Sequence, residues 1–274
     1  MLKFTKPLQE FLASKADFRI LYSTSPSSPL ASADTSRIVI LDSSFNPPHL
    51  AHSTLAKDAL EFEYNGTTTP KSKSSLLLLL SVKNADKITI QPAPLDYRLE
   101  MMYLMAQYLE SNLDIHVSIG ITNHARFVDK SVAIINYLKS YLADDYGSIK
   151  LTFAVGFDTL ERILDPKYYL PDKLSDSLKE FMRTTDLFCL TRSENVETYN
   201  MQLDYLQRLR HGKIPQIPEA LARNVHVQSV SDSRDNIGAI SSTSVRNAFA
   251  SGESANVPVI PEIKAFIEKH SLYK

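Results

Sequence analysis

The chain has 274 residues, 43% of them hydrophobic, and 30 basic against 31 acidic side chains give a formal net charge of −1. That is enough apolar chain for one large domain or two small ones, and no overall field recruits nucleic acid or an anionic membrane, so a polyanion must be held locally. One cysteine, Cys189, excludes an intrachain disulfide; with no apolar signal core and no run of membrane-spanning length, the expectation is a cytoplasmic protein, with the nucleus as a second location.

Residues 3–15, KFTKPLQEFLASK, read as a short amphipathic helix, and FRILYS (18–23) as a brief strand. A polar, Ser/Pro-rich connector, TSPSSPLASADTS (24–36), follows. Apolar runs then alternate with helical patterns. The runs are RIVILD (37–42), LLLLLSV (76–82), DIHVSIG (114–120), KLTFAVG (150–156), DLFCLT (186–191) and NVHVQSV (224–230). Helical periodicity falls near 49–64, 96–110, 129–143, 158–164, 172–184, 198–211, 243–251 and 259–270, and YNGTTTPKSKSS (64–75) reads as an exposed loop. Strands apolar on both faces and alternating with helices predict an α/β fold: a doubly wound, mostly parallel, Rossmann-like sheet covered on both sides. The organisation expected is a leading segment, 1–36, and a single domain, 37–274.

Ligands of such sheets bind beyond the carboxyl ends of the strands, where strand order reverses. Three polar motifs sit at strand ends. In DSSFNPPHLAH (42–52) a double proline stiffens the corner into a helix. His49 and His52, at i, i+3 in the first turn, share a helix face beside N-terminal amides that suit an anion. The plain alternative is a strand terminator with solvated histidines; a zinc pair is a further one, weakened by the lack of a third ligand nearby. In ISSTSVR (240–246), Ser241, Ser242 and Thr243 precede a helix whose first turn carries Arg246. That is an N-cap signal, but three hydroxyls with a guanidinium also make a phosphate clamp. In AVGFDTLERI (154–163), Gly156 ends a strand and Asp158 opens a helix, as a dipole-matched cap or as a partner for a ribose hydroxyl.

SSFNPPHLAH and ISSTSVR resemble, in order and separation, the GxFxPxHxxH and ISSTxxR elements of the nucleotidylyltransferase superfamily. More narrowly, SFNP, VGFDTLERI, LFCLTRSE, NVHV and the closing FIEKHSLY are similar to eukaryotic nicotinamide mononucleotide adenylyltransferases, from about Arg37 onward. The leading 36 residues and the SSFNPPHLAH wording resemble a fungal branch of adenylyltransferase-like proteins. The resemblance implies transfer of AMP from MgATP to nicotinamide mononucleotide by direct in-line attack, releasing pyrophosphate, with Mg2+ accompanying ATP and no metal held by protein side chains. Carried onto this chain, His52, His49 and Arg246 would be catalytic. Ser43, Ser44, Phe45, Asn46, Lys83, Ser242 and Thr243 would hold ATP and its phosphates, and Gly156 and Asp158 the ribose side. Arg98, whose plain alternative is a surface salt bridge with Asp96 or Glu100, would serve the acceptor with Phe127, Tyr168 and Tyr169. The chain departs from the pattern at Ser43, where the family has glycine, at Ala51, and in having no tryptophan to stack a pyridine ring; Phe127 and Tyr168-Tyr169 fall at similar places and can stack instead. Another acceptor, ATP hydrolysis, or nucleotide binding without turnover are the competing expectations.

Overall fold

The computed structural model describes residues 2–83, 93–191, 196–228 and 240–274. Its first half contains α1 (Thr5–Ala13), β1 (Phe18–Ser23), β2 (Arg37–Asp42), α2 (Leu50–Glu61), β3 (Glu63–Tyr64), β4 (Thr67–Thr68), β5 (Ser74–Ser81), α3 (Leu95–Leu113), β6 (His116–Thr122) and α4 (Phe127–Leu142). There follow β7 (Lys150–Gly156), α5 (Phe157–Ile163), α6 (Leu174–Thr184), β8 (Thr185–Leu190), α7 (Val196–Arg210), α8 (Glu219–Ala222), β9 (Val225–Gln228), α9 (Ser242–Ala250) and α10 (Pro261–Lys269). Positions 229 and 230 of the expected last strand lie outside the described residues, as do 192–194 of LFCLTRSE.

Seven strands form one sheet in the order β1-β6-β5-β2-β7-β8-β9. All neighbours are parallel except β1, which runs antiparallel along β6. The chain winds outward from β2 through β5 to β6, then returns to lay β7, β8 and β9 on its other side. Strand order therefore reverses between β2 and β7, and that pair flanks the crevice in which such sheets bind ligands.

The apolar runs are two-faced because side chains alternate along a strand. Val39, Leu41, Leu76, Leu78 and Leu80 face one core, packed with α1, α2, α3, α9 and α10. Ile38, Ile40, Leu77 and Leu79 face the other, packed with α4 to α8. The segment ahead of Arg37 forms α1 and β1, and Phe4, Leu8 and Phe11 are buried in the first core. At Gly120 of β6 an added Cβ would lie 2.8 Å from the Phe18 ring, so a glycine admits β1 at this edge. The expected loop at 64–75 is in part a hairpin, β3–β4, turned by Asn65 (φ 51) and Gly66 (φ 80), the left-handed pair that a tight hairpin favours.

Beneath that hairpin, at the amino end of β2, lies a buried polar cluster. Arg37 donates to Asp186 at 2.8 Å, Asn224 donates to the other carboxylate oxygen at 2.9 Å, and the Tyr64 ring lies 3.8 Å from the guanidinium. Burial alone would push the Asp186 carboxyl up, but His226, Arg37 and Asn224 outweigh it and hold the group well below the usual carboxylate range. A depressed folded pKa gives stability that is present above the unfolded value of ~4 and is lost as pH falls below it. Asp186→Ala, which leaves Arg37 buried without its carboxylate, should cost ~3–5 kcal/mol near neutrality. In urea titrations the gap between variant and wild type should narrow as pH falls below ~4; a gap independent of pH would show that the pair does not supply it.

Candidate active site

The crevice between the carboxyl ends of β2 and β7 is a cleft of about 490 Å³, within the range of small-molecule sites. It gathers residues from across the chain. The β2–α2 corner supplies Ser43, Ser44, Asn46, His49 and His52; Lys83 and Arg98 come from the end of β5 and from α3. Gly156 and Asp158 come from the β7–α5 junction, Phe127, Tyr168 and Tyr169 from its far wall, and Ser242, Thr243 and Arg246 from α9. Of the residues given a site role from the sequence, Phe45 alone is not in the lining. It is fully buried in the first core at φ 44, a left-handed conformation costly for a bulky residue. Phe45 thus anchors the corner from below, its ring 5.2 Å from that of His52.

The corner fixes the chemistry of His52. Its Nδ1 accepts the backbone N–H of His49 at 3.1 Å. A backbone amide can only donate, so the neutral ring carries its proton on Nε2. That nitrogen lies 2.9 Å from the Ser43 hydroxyl, and the His49 ring stacks on His52 at 3.8 Å. His52 is therefore a hydrogen-bond donor at Nε2, unsuited in this tautomer to drawing a proton from Ser43. A Ser–His nucleophile pair is excluded on that ground.

The two phosphate-type motifs are joined by backbone carbonyls. Arg246 Nη1 donates to the Asn46 carbonyl at 2.8 Å, Ser242 Oγ to the Pro47 carbonyl at 3.0 Å, and the Leu50 N–H to the Pro258 carbonyl at 2.8 Å. The other guanidinium arm donates to Thr243 at 3.0 Å. Ser241 caps α9 by accepting from the Ser244 amide at 3.0 Å. The capping expectation for ISSTSVR holds at Ser241, while Ser242, Thr243 and Arg246 are tied to the β2–α2 corner and to one another. Arg98 is buried and donates through Nε to the Ala93 carbonyl at 2.7 Å. Asp96 receives Thr5 and Glu100 receives the Phe4 amide, so the surface salt bridge weighed for Arg98 is not formed.

Among the lining residues that sequence reasoning did not single out are two cations beside Phe127. Lys130 is buried, ion-paired with the equally buried Asp42, and its ammonium sits 4.7 Å over the Phe127 ring. Arg126 pairs with Asp129 at 2.8 Å. The signal was present in ARFVDK, two cations flanking an aromatic, but nothing in one dimension puts Asp42 opposite Lys130. Phe127 is edge-on to Phe153 at 5.1 Å. Tyr169 is buried and donates to the Ile163 carbonyl at 2.7 Å, burial raising its phenol pKa above the ordinary value. Among the described residues no group of three or more His, Cys, Asp or Glu side chains is placed to hold a metal ion, and no helix is long and apolar enough to cross a membrane.

No protein-family model matches the chain. A Schizosaccharomyces pombe protein, named provisionally as a nicotinamide mononucleotide adenylyltransferase, is 35% identical over 227 residues, 82% of this chain and 81% of the relative. The chain belongs to the nicotinamide mononucleotide adenylyltransferase family. Two solved structures of the Plasmodium falciparum nicotinic acid mononucleotide adenylyltransferase, one complexed with NaAD and one with APC, share the fold. Their TM-scores are 0.52 and 0.51 at 14% and 13% identity, over 87% of this chain and 97% of theirs.

Ser43, the residue at which the sequence departs from the expected motif, hydrogen-bonds His52 at 2.9 Å. Ser43→Gly removes that internal partner and leaves the Nε2–H for a ligand. Calorimetry should then show ATP binding about two- to fivefold tighter, ~0.4–1 kcal/mol. Weaker binding would mean that the hydroxyl itself serves the phosphates.

Proposed function

We propose that this chain transfers AMP from MgATP to nicotinamide mononucleotide, giving a dinucleotide and pyrophosphate. The observation that carries the reading is the meeting of the His49/His52 corner with Ser242, Thr243 and Arg246 in one cleft at the reversal of strand order. A phosphate oxygen of the mononucleotide attacks the α-phosphorus of ATP. The new P–O bond forms as the bond from the α-phosphorus to the bridging oxygen breaks, and the electron pair leaves with pyrophosphate. No proton need be removed from a phosphate already ionised at neutral pH, which suits a site whose histidine is a donor and not a base. Catalysis is then orientation and charge stabilisation. His52 Nε2–H and His49 face the charge that builds on the phosphates, while Lys83 and Arg246 take the leaving pyrophosphate.

The donor set suits a polyphosphate more than a bare cation: imidazole, guanidinium, ammonium and hydroxyl groups dominate, and Asp42 is engaged by Lys130. Mg2+ would arrive with the nucleotide and would supply positive charge to the phosphates, the lining contributing the imidazole, guanidinium, ammonium and hydroxyl donors around them. Asp158, exposed in the first turn of α5 and part of the cleft lining, would accept hydrogen bonds from the ribose hydroxyls. At the other end Phe127, Tyr168 and Tyr169 offer ring faces and edges for a pyridine. The two cations flanking Phe127 are each already paired with a carboxylate. That favours an uncharged carboxamide over a carboxylate on the ring.

Purified protein with MgATP and nicotinamide mononucleotide should yield dinucleotide with a higher kcat/KM than with nicotinate mononucleotide, and little phosphate without an acceptor. Steady phosphate release with no dinucleotide would sink the proposal. His52→Ala should lower kcat by about 100-fold or more, ~2.7 kcal/mol, the scale of a lost transition-state donor. Synthesis persisting within about tenfold, ~1.4 kcal/mol, would remove His52 from that role.

A further inference from the structure

The segment after α10 reaches the cleft from behind. Ser271, at φ 50, turns the chain out of the helix, and the Leu272 N–H closes on the Ile267 carbonyl at 3.1 Å, the hydrogen-bonded pattern of a left-handed helix stop. Tyr273 follows at φ 65, again left-handed and unfavourable for an aromatic residue, so its placement is imposed by what the side chain does. Its ring packs against the first core near Phe249, and its hydroxyl lies 2.8 Å from Asn46 Oδ1.

Asn46 is the hub of the corner. It is buried, and its Oδ1 also accepts the Ala93 N–H at 3.1 Å. Two donors on one oxygen fix which end of the amide is which, turning the NH2 end away from both. The carbonyl of the same residue is the rest on which Arg246 Nη1 lies. Arg98 donates to the carbonyl of the same Ala93 whose N–H reaches Asn46. Burial raises the Tyr273 phenol pKa above the ordinary value even with the Arg98 and Arg246 charges nearby, so the group remains a protonated donor.

We infer that Tyr273 is a positioning residue for phosphate binding and transfer: its hydroxyl sets the Asn46 amide, and through Asn46 it sets both a donor at the cleft and the seat of Arg246. The inference rests on reading the cleft as a triphosphate site. A phenol with only a packing role would not need its oxygen, whereas this oxygen is aimed at the side chain of the residue whose backbone carbonyl receives Arg246.

The test is Tyr273→Phe in the full chain, read by ATP calorimetry, by kcat and KM, and by thermal unfolding. Only the hydroxyl is lost, and Oδ1 keeps the Ala93 amide, so Tm should fall by no more than a few degrees. ATP should bind about three- to fivefold more weakly and kcat should fall about tenfold, with KM for the mononucleotide unchanged. Phe249→Leu, which loosens the same packing without touching Asn46, should lower Tm and leave kcat near wild type. In a double-mutant cycle Tyr273→Phe and Arg246→Lys should be non-additive. Wild-type ATP affinity and kcat in Tyr273→Phe, within twofold, would overturn the inference, as would losses matched by Phe249→Leu at equal Tm. If wild type binds ATP but makes no dinucleotide, the proposed reaction fails while the ATP affinities still decide the role of Tyr273.

Discussion

The site depends on a single constraint: the backbone carbonyls of Asn46 and Pro47 must lie where α9 can reach them. Arg246 and Ser242 lean on those two oxygens, across 200 and 195 residues of sequence, and Tyr273 holds the Asn46 side chain from below. Each bond is of modest net worth, ~1 kcal/mol for a neutral pair and somewhat more for a guanidinium. Their effect lies in geometry. They turn two helix starts and a chain end into one rigid wall, and a rigid array of donors is what stabilises charge on a transferring phosphoryl group.

The central strand carries this arrangement between two buried ion pairs. Arg37 opens β2 and is held by Asp186; Asp42 ends it and is held by Lys130. Isolated charges at those positions would be prohibitive in a sheet interior, and paired ones are tolerated only in good geometry. Such pairs are poor sources of net stability, but misregistered neighbours would leave each charge bare. They set the position of β2 relative to β7 and β8 at one end and of α4 at the other. The Asp42–Lys130 pair also shapes the end of the cleft lined by Phe127, because it brings Lys130 over that ring.

The corner itself is strained where it is most used. Phe45 is left-handed and wholly buried, the His49 and His52 rings are stacked, and His52 is bound at Nδ1 by the chain and at Nε2 by Ser43. Packing beneath the corner holds this conformation, so the donors are aimed before a ligand arrives.

The sequence alone determined the alternation of strands and helices, and with it the parallel, two-faced sheet, because fully apolar strands interleaved with amphipathic helices have few other ways to bury themselves. It also pointed to the residue types that line the cleft, since a strand end followed by histidines at i, i+3, and a hydroxyl run followed by arginine, are local patterns. It pointed to Phe45 as a ligand contact, and the structure puts that ring in the core: a motif names positions, while only packing decides which side chains face out. The tautomer of His52, the Lys130–Asp42 pair, the burial of Arg98 and the reach of Tyr273 to Asn46 were decided by tertiary structure alone. Each is a contact between groups distant in sequence or turned by a neighbour, and such contacts exist only once the sheet has fixed the distances between its strand ends.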